Sequence, residues 1–185
     1  MKRFLFLILL LTGQFAFGQS KDTTFGKPIF WYHVSDPWAM FMGAEGPVFI
    51  LYNSGKILFW KNGAYRLTQI DEQEKEELIS ELDLNDTLFR KSRNFDATNP
   101  DPNSNLIGAT DNPTYTISLN FDTLIRISVY GYINSKEYRK RFPQKFLSVH
   151  DFILNFDDDK EIKWIPEKIE VMLSDYSNSP DISIK

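Results

Sequence analysis

The pattern of apolar and polar residues predicts strands along much of the chain. Short apolar runs bounded by turn residues are typical of antiparallel strands, whose side chains alternate between the two faces of a sheet. Such runs occupy residues 28–34, 47–53, 56–61, 64–69, 114–121, 123–131 and 168–173. Asn62-Gly63 lies between two of them and predicts a tight hairpin, because both residue types tolerate a positive φ.

Two other segments have the three- and four-residue spacing of helices. Residues 71–83 start with Asp71, and Glu74 follows three residues later. This spacing predicts a capping box, in which each side chain satisfies a backbone N–H group. Residues 143–156 start with a proline, which suits the first helical position. The expected apolar sides are Leu78, Ile79 and Leu82 in the first helix, and Phe146, Val149, Ile153 and Phe156 in the second. The acidic residues of the first helix indicate a solvated face.

These elements predict an α+β fold, namely an antiparallel sheet of about six strands with two amphipathic helices packed on it. Residues 93–113 lack periodicity and are rich in Asn, Asp and Pro, which predicts a long loop. In the strand after it, alternation predicts that Tyr115, Ile117, Leu119 and Phe121 face the core. A single α+β domain is expected at 28–174, between a flexible segment at 19–27 and a polar C-terminal tail at 175–185.

The start of the chain predicts export. Lys2 and Arg3 precede an apolar run, and Ala16-Phe17-Gly18 places small residues where a signal peptidase cleaves. We therefore expect residues 1–18 to be a cleaved signal peptide that directs the protein to the periplasm or the cell exterior. The apolar run is too short to span a bilayer, which takes about 20 residues. The chain has no cysteine, so neither a disulfide nor a lipid anchor on cysteine is expected, and no transmembrane segment is predicted in the mature protein.

Charge argues against nucleic acid as a partner. The formal charge of −4 becomes −6 without residues 1–18, which carry two basic residues and no acidic one. Nucleic-acid binding needs clustered Lys and Arg to neutralise phosphates. The nearest approach to a cluster, between Lys136 and Lys145, is interpreted as a solvated turn and helix start. No cofactor is predicted, because the glycines are scattered singly and form no phosphate loop or dinucleotide fingerprint.

Three stretches carry a resemblance to known sequences. They are GPVFILYNSGKILFWKNGAYRLTQIDEQEKEELISEL at 46–82, ATDNPTYTISLNFDTLIRISVYG at 109–131 and WIPEKIEVML at 164–173. The chain resembles a family of uncharacterised exported bacterial domains with a hairpin-helix-hairpin-helix-strand pattern. The resemblance implies this fold and export. It implies no activity, because the family has no established one.

An aromatic cluster before the first hairpin supplies the candidate ligand-binding residues. Trp31, Trp38 and Phe41 lie close together in sequence, and exposed rings of this kind can form a platform for a carbohydrate or a peptide. The alternative interpretation is that a domain without disulfides packs its sheet with large residues.

A calcium site is a weaker candidate. Asp101, Asn103 and Asn105 alternate like the first ligands of a calcium loop, but the sixth and twelfth positions are Leu106 and Asn112. The preferred interpretation is a polar loop without a metal.

The two histidines do not indicate an active site. His150 falls within the apolar side of the second helix, which predicts a packed side chain with one hydrogen bond. His33 is close to Ser35 and Asp36, but neighbouring positions on one strand rarely form a catalytic triad, and no Gly-x-Ser-x-Gly motif is present. No catalytic residue is assigned.

Three functions stay open. The sequence favours a binding or interaction module of unknown ligand over a structural or accessory envelope protein. A hydrolase with no recognisable motif, using a pair of carboxylates brought together by the fold, is the second alternative.

Overall fold

The computed structural model describes residues 25–37, 46–99 and 111–166. Within these ranges the chain forms eight strands, three α-helices and one 3-10 helix. The strands are β1 (Pro28–Ser35), β2 (Phe49–Tyr52), β3 (Lys56–Lys61), β4 (Ala64–Gln69), β5 (Arg93–Asp96), β6 (Thr114–Asn120), β7 (Leu124–Tyr130) and β8 (Ile162–Lys163). The helices are α1 (Glu72–Glu81), α2 (Lys136–Arg139) and α3 (Gln144–Leu154), and the 3-10 helix spans Thr87–Arg90.

All eight strands belong to one sheet, in the order β5-β7-β6-β1-β2-β3-β4-β8. Neighbouring strands are antiparallel except β5 and β7, which are parallel. The predicted α+β class is confirmed. The expected sheet of about six antiparallel strands is corrected to a mixed sheet of eight, because two short strands extend its edges.

These edge strands were not predictable from an apolar pattern. β5 has the sequence RNFD and three of its four residues are exposed, so the prediction of a continuous loop at 93–113 is wrong at its start. β8 contains only two residues, both exposed, and pairs with β4. An edge strand needs a partner for its backbone, and it does not need a buried face. The strand expected at 168–173 lies outside the described residues.

The predicted hairpins at 47–69 are confirmed, and their turns have the expected backbone. Asn62 and Gly63, between β3 and β4, have φ values of 52° and 75°. Gly55, between β2 and β3, has a φ of 81°. Two consecutive residues with positive φ form a turn whose twist matches that of the flanking strands, which sets the register of the β3–β4 pair.

The helix predicted at 71–83 is confirmed in position and in its start. The Glu74 N–H group donates to the Asp71 carboxylate at 2.9 Å, and the Asp71 N–H group donates to Glu74 at 2.8 Å, so the capping box is complete. Leu78 and Leu82 are 7% and 2% exposed and belong to the same apolar core as the strands. The expectation that they cover the sheet is therefore confirmed.

The helix predicted at 143–156 is α3, which begins at Gln144 because Pro143 takes the N-cap position. His150 is buried, as predicted, and its Nδ1 atom lies 2.6 Å from the Tyr32 hydroxyl on β1. Burial raises the pKa of Tyr32 and lowers the pKa of His150. Both groups therefore favour their neutral forms, and the hydrogen bond between them ties α3 to β1, next to the centre of the sheet.

Candidate functional site

α1 and α3 pack on the same face of the sheet and leave a groove between them. Its volume is ≈ 730 Å³, and we call it the helix groove. It is lined by Ile57 and Ile70 of the sheet side, by Glu74, Glu77, Leu78 and Glu81 of α1, by Ser148, Asp151 and Phe152 of α3, and by Asn155, Phe156, Asp157 and Asp158 after α3. The lining residues of each helix are three or four positions apart, so they lie on one side of that helix.

The floor of the helix groove is apolar and rigidly held. Ile57 is fully buried, and Leu78 is nearly so. The Phe156 ring forms part of the wall and meets the rings of Phe49 and Phe59 edge to face, at centroid distances of 5.1 Å and 5.0 Å. A ring fixed by two neighbours presents a preformed surface, so a ligand does not have to order it.

The rim of the helix groove is acidic on both sides. Glu74, Glu77 and Glu81 follow one another along α1, while Asp151, Asp157 and Asp158 face them from the other wall. No Lys or Arg is among the described lining residues. The spacing along α1 places its three carboxylates in one row on the same side of the helix.

Half of these carboxylates are neutralised by basic side chains from outside the groove. The pairs are Glu74–Lys160 at 2.7 Å, Asp151–Arg139 at 2.6 Å, and Asp157–Lys61. The hydrogen bond from Lys160 is the main reason that the pKa of Glu74 is lowered, and the hydrogen bond from Lys61 does the same for Asp157. Both carboxylates are therefore firmly ionised at neutral pH.

The other three carboxylates form no ion pair with a described residue. Across residues 25–37, 46–99 and 111–166, no Lys or Arg lies within ion-pair distance of Glu77, Glu81 or Asp158. Glu77 accepts one hydrogen bond, from the Gln73 amide at 2.8 Å. Asp158 accepts from the Thr68 hydroxyl at 2.9 Å and from a backbone N–H group. The groove therefore keeps an excess of negative charge.

The polar groups of the helix groove form hydrogen bonds within the protein. The Ser148 hydroxyl donates to the Gln144 carbonyl at 3.1 Å, and the described lining residues include no histidine beside it. Glycoside hydrolysis needs a carboxyl group with a raised pKa. In this groove the pKa values of Glu74 and Asp157 are lowered instead. In the part of the chain that the structure describes, no group of three or more His, Cys, Asp or Glu could hold a metal.

Of the site residues proposed from sequence, the structure describes Trp31, which does not line the helix groove. Trp31 is half-buried on β1, and because Tyr32 faces α3, Trp31 faces the opposite side of the sheet. Its strand neighbours are Ile50 and Ser118. Trp38 and Phe41, as well as the calcium candidates Asp101, Asn103 and Asn105, lie outside the described residues.

Other rings form a continuous series on the face of Trp31. The series runs Trp60, Tyr65, Trp164, Phe25 and Tyr52, with successive centroid distances of 5.0, 5.9, 6.0 and 5.3 Å. Most of these rings meet edge to face, so they cover one another instead of forming a flat platform. This arrangement agrees better with the interpretation that aromatic residues pack the sheet.

His33 is also on that face. Within the described ranges its ring has no hydrogen bond, ion pair or ring contact, and it pairs through its backbone with Thr116. The structure gives the Ser35–His33–Asp36 arrangement no support.

The groove was missed because its walls are set by tertiary structure. The acidic residues of α1 have the sequence pattern of an ordinary solvated face, and nothing local indicates that a second acidic line lies opposite. The usable signal was the position of Phe156 and Asp157 together at the end of the second helix, where an apolar stripe runs into a charge cluster.

No described helix is both long enough and apolar enough to cross a membrane. Comparisons of the chain with protein-family models, with curated proteins and with solved structures found no match.

Proposed function

We propose that this protein is an exported binding module whose helix groove holds a cationic amphipathic segment of a partner protein. The observation that supports this proposal is the combination of an apolar floor with carboxylates on both walls. A segment that matches it presents apolar side chains to the floor and Lys or Arg side chains to the rim.

Charge complementarity selects a cationic partner. Glu77, Glu81 and Asp158 have no ion-pair partner in the described chain, so an arriving Lys or Arg does not have to displace one. These groups are at the surface, where each ion pair contributes little to affinity and is weakened by salt. Their main effect is to accelerate the encounter and to reject acidic partners.

The shape of the groove selects a segment. Laying an amphipathic helix into a groove between helices is a recurrent mode of peptide recognition. A volume of ≈ 730 Å³ accommodates several side chains, and it is far too small for a folded domain. The affinity expected from a short segment with a few apolar anchors is on the order of micromolar.

Export is part of the proposal and rests on the sequence of residues 1–18, with support from the resemblance to exported bacterial domains. Mass spectrometry of protein recovered from the producing cell is expected to find an N-terminus within about three residues of Gln19, because the small residues before it suit signal peptidase. An intact Met1 on the exported protein would contradict this expectation.

The binding proposal is tested with a synthetic amphipathic peptide of about 14 residues made of Leu and Lys, long enough for about four helical turns. Calorimetric titration into the purified protein is expected to give a dissociation constant in the micromolar range. A peptide of the same length and pattern with Glu at every Lys position is the matched control, and we expect it not to bind. Raising the salt concentration from low to high is expected to lower the affinity for the Lys peptide by roughly tenfold.

Equal binding of the Lys and Glu peptides would mean that the acidic rim does not select the partner. No binding of either peptide would favour the structural or accessory role. The hydrolase alternative would require turnover of a glycoside or ester substrate that is lost when the groove carboxylates are replaced.

A further inference from the structure

A second cavity shares no lining residue with the helix groove. Its volume is ≈ 550 Å³, and we call it the hairpin pocket because the β6–β7 turn forms one side. It is lined by Leu84, Phe89, Arg90, Lys91, Ser92, Leu119, Phe121, Asp122, Thr123, Leu124 and Ile125. The other side is the 3-10 helix, Thr87–Arg90, and the chain that follows it.

The hairpin pocket has an apolar interior with an incompletely covered mouth. Leu84, Phe89 and Leu119 are buried at its base. Phe121 and Leu124, at the tip of the hairpin, are 42% and 41% exposed. The sequence pattern predicted that Phe121 faces the core, and this prediction is wrong because the strand ends one residue earlier, at Asn120. Exposed apolar side chains beside an apolar cavity form a surface that gains free energy when a ligand covers it.

The mouth of the hairpin pocket is cationic where the helix groove is acidic. Arg90 and Lys91 line it, both are exposed, and neither has an ion pair among the described residues. The Lys27 ammonium group lies 3.5 Å from the Phe121 carbonyl and adds a third cation at the hairpin tip. Among the described lining residues, only Asp122 is acidic. The two lining cations outnumber it, and Lys27 increases the difference.

We propose that the hairpin pocket is a binding site for a single-chain anionic amphiphile, with its hydrocarbon chain against Phe121, Leu124 and the buried base and its anionic head beside Arg90 and Lys91. The pocket volume falls within the range of about 300–1,000 Å³ typical of small-molecule sites, and it has the usual composition of an apolar interior with a few charged groups at one end. A short alkyl carboxylate or sulfate has this chemistry. It is present either as a free molecule or within a lipid bilayer, so the experiment separates the two sources.

The test is a titration of the isotope-labelled protein followed by backbone amide NMR. The probes are dodecanoate below its micelle concentration, dodecyltrimethylammonium as the cation of equal chain length, and vesicles of phosphatidylcholine with added phosphatidylglycerol. We expect dodecanoate to shift the amide NMR signals of residues 119–125. The cationic detergent is expected to bind there with an affinity at least about tenfold lower. Binding to vesicles without binding of free dodecanoate would overturn the pocket in favour of a membrane-docking tip.

Charge reversal identifies the head-group site. The double variant Arg90→Glu/Lys91→Glu is expected to weaken dodecanoate binding by about tenfold or more. The matched control is Lys136→Glu/Lys140→Glu, which reverses two exposed lysines away from the pocket and is expected to change the affinity by less than about twofold.

Phe121→Ser, at an exposed position, tests the apolar part of the pocket and is expected to lose most of the binding. Thermal melting checks that all variants fold. Amide shifts confined to residues that do not line the hairpin pocket, equal binding of both detergents, or full affinity in the Arg90→Glu/Lys91→Glu variant would overturn the proposal. Concentration-dependent broadening of these amides without any ligand would assign the pocket to a second copy of the chain instead.

Discussion

The two helices that form the groove are held in place by different means. α1 begins at a complete capping box and carries further local contacts between residues three or four apart, Glu72 with Lys75 and Gln73 with Glu77. In α1 only Lys75 and Leu78 are buried. Local bonds of this kind stabilise a helix that has little buried surface.

α3 has the opposite character. Its N-cap is Pro143, which offers no side-chain hydrogen bond, and no acidic residue lies in its first turn. Five of its 11 residues are buried, and they are Phe146, Leu147, Val149, His150 and Ile153. The stability of α3 therefore comes from tertiary packing.

The comparison separates stability from binding. Residues on the buried side of α3 cannot change without damage to the core. Glu77 and Glu81 of α1 are exposed and contribute little to folding beyond the local Gln73–Glu77 bond, so their charges are available for a partner. We expect substitutions on the two helices to differ accordingly, in unfolding free energy for α3 and in binding for α1.

The largest effect is expected from Phe146→Ala in α3. Phe146 is fully buried and its ring meets those of Tyr32 and Phe142, so removing it leaves a cavity. The free energy of unfolding is expected to fall by about 3–5 kcal/mol. Urea denaturation followed by circular dichroism measures it. Leu154→Ala, at a position of the same helix that is 60% exposed, is the control and is expected to cost less than about 0.5 kcal/mol. Similar losses for both variants would mean that α3 is not anchored by its buried side.

A smaller effect is expected at the buried Tyr32–His150 hydrogen bond. His150→Leu leaves the Tyr32 hydroxyl without a partner inside the core, which typically costs about 1–3 kcal/mol. The double variant Tyr32→Phe/His150→Leu removes both polar groups and is expected to be more stable than His150→Leu alone. A double-mutant cycle of urea unfolding experiments measures the difference. Additive losses would show that the two side chains are not coupled.

The same pair gives a pH dependence. Burial lowers the pKa of His150 below its ordinary value of 6.5, so the unfolded chain binds the proton more tightly than the folded one. The stability due to this group is complete above pH 6.5. It falls as the pH drops from there towards the lower folded-state pKa. This decrease is expected to disappear in the double variant, and an unchanged slope of stability against pH would contradict the assignment.

A modest effect is expected from Asp71→Ala, which removes the capping box of α1. The loss of the bond to the Glu74 N–H group is expected to cost about 1 kcal/mol. Asp71→Asn, which keeps an acceptor oxygen, is expected to retain most of that stability. If the alanine variant is as stable as the parent in urea, α1 does not depend on its local bonds.

The fold was largely predictable because its main signals are local. Turn residues such as Asn62-Gly63 and the capping box at Asp71 act within a few residues, and alternation marks β6 and β7 directly. The edge strand β5 was not predictable, because its polar sequence gains a partner only when β7 is already in place.

The candidate sites were not predictable for the same reason. Aromatic content pointed to Trp31, whose ring lies on the face away from both helices. The helix groove needs α1 and α3 side by side, and the hairpin pocket needs the 3-10 helix beside the β6–β7 turn. The order of residues along the chain shows neither juxtaposition, and the one usable signal, Phe156 next to Asp157, indicates a single wall of the helix groove.

The most direct test of the account compares two neighbouring glutamates of α1. Glu77 lines the helix groove and Glu76 does not, and both are exposed. Glu77→Lys and Glu76→Lys therefore introduce the same charge on the same helix, and both are expected to leave the unfolding free energy within about 0.5 kcal/mol of the parent. Titration with the Leu-Lys peptide is expected to show binding weakened by about tenfold for Glu77→Lys and by less than about twofold for Glu76→Lys. Equal affinities for the two variants would contradict the assignment of the helix groove as the binding site.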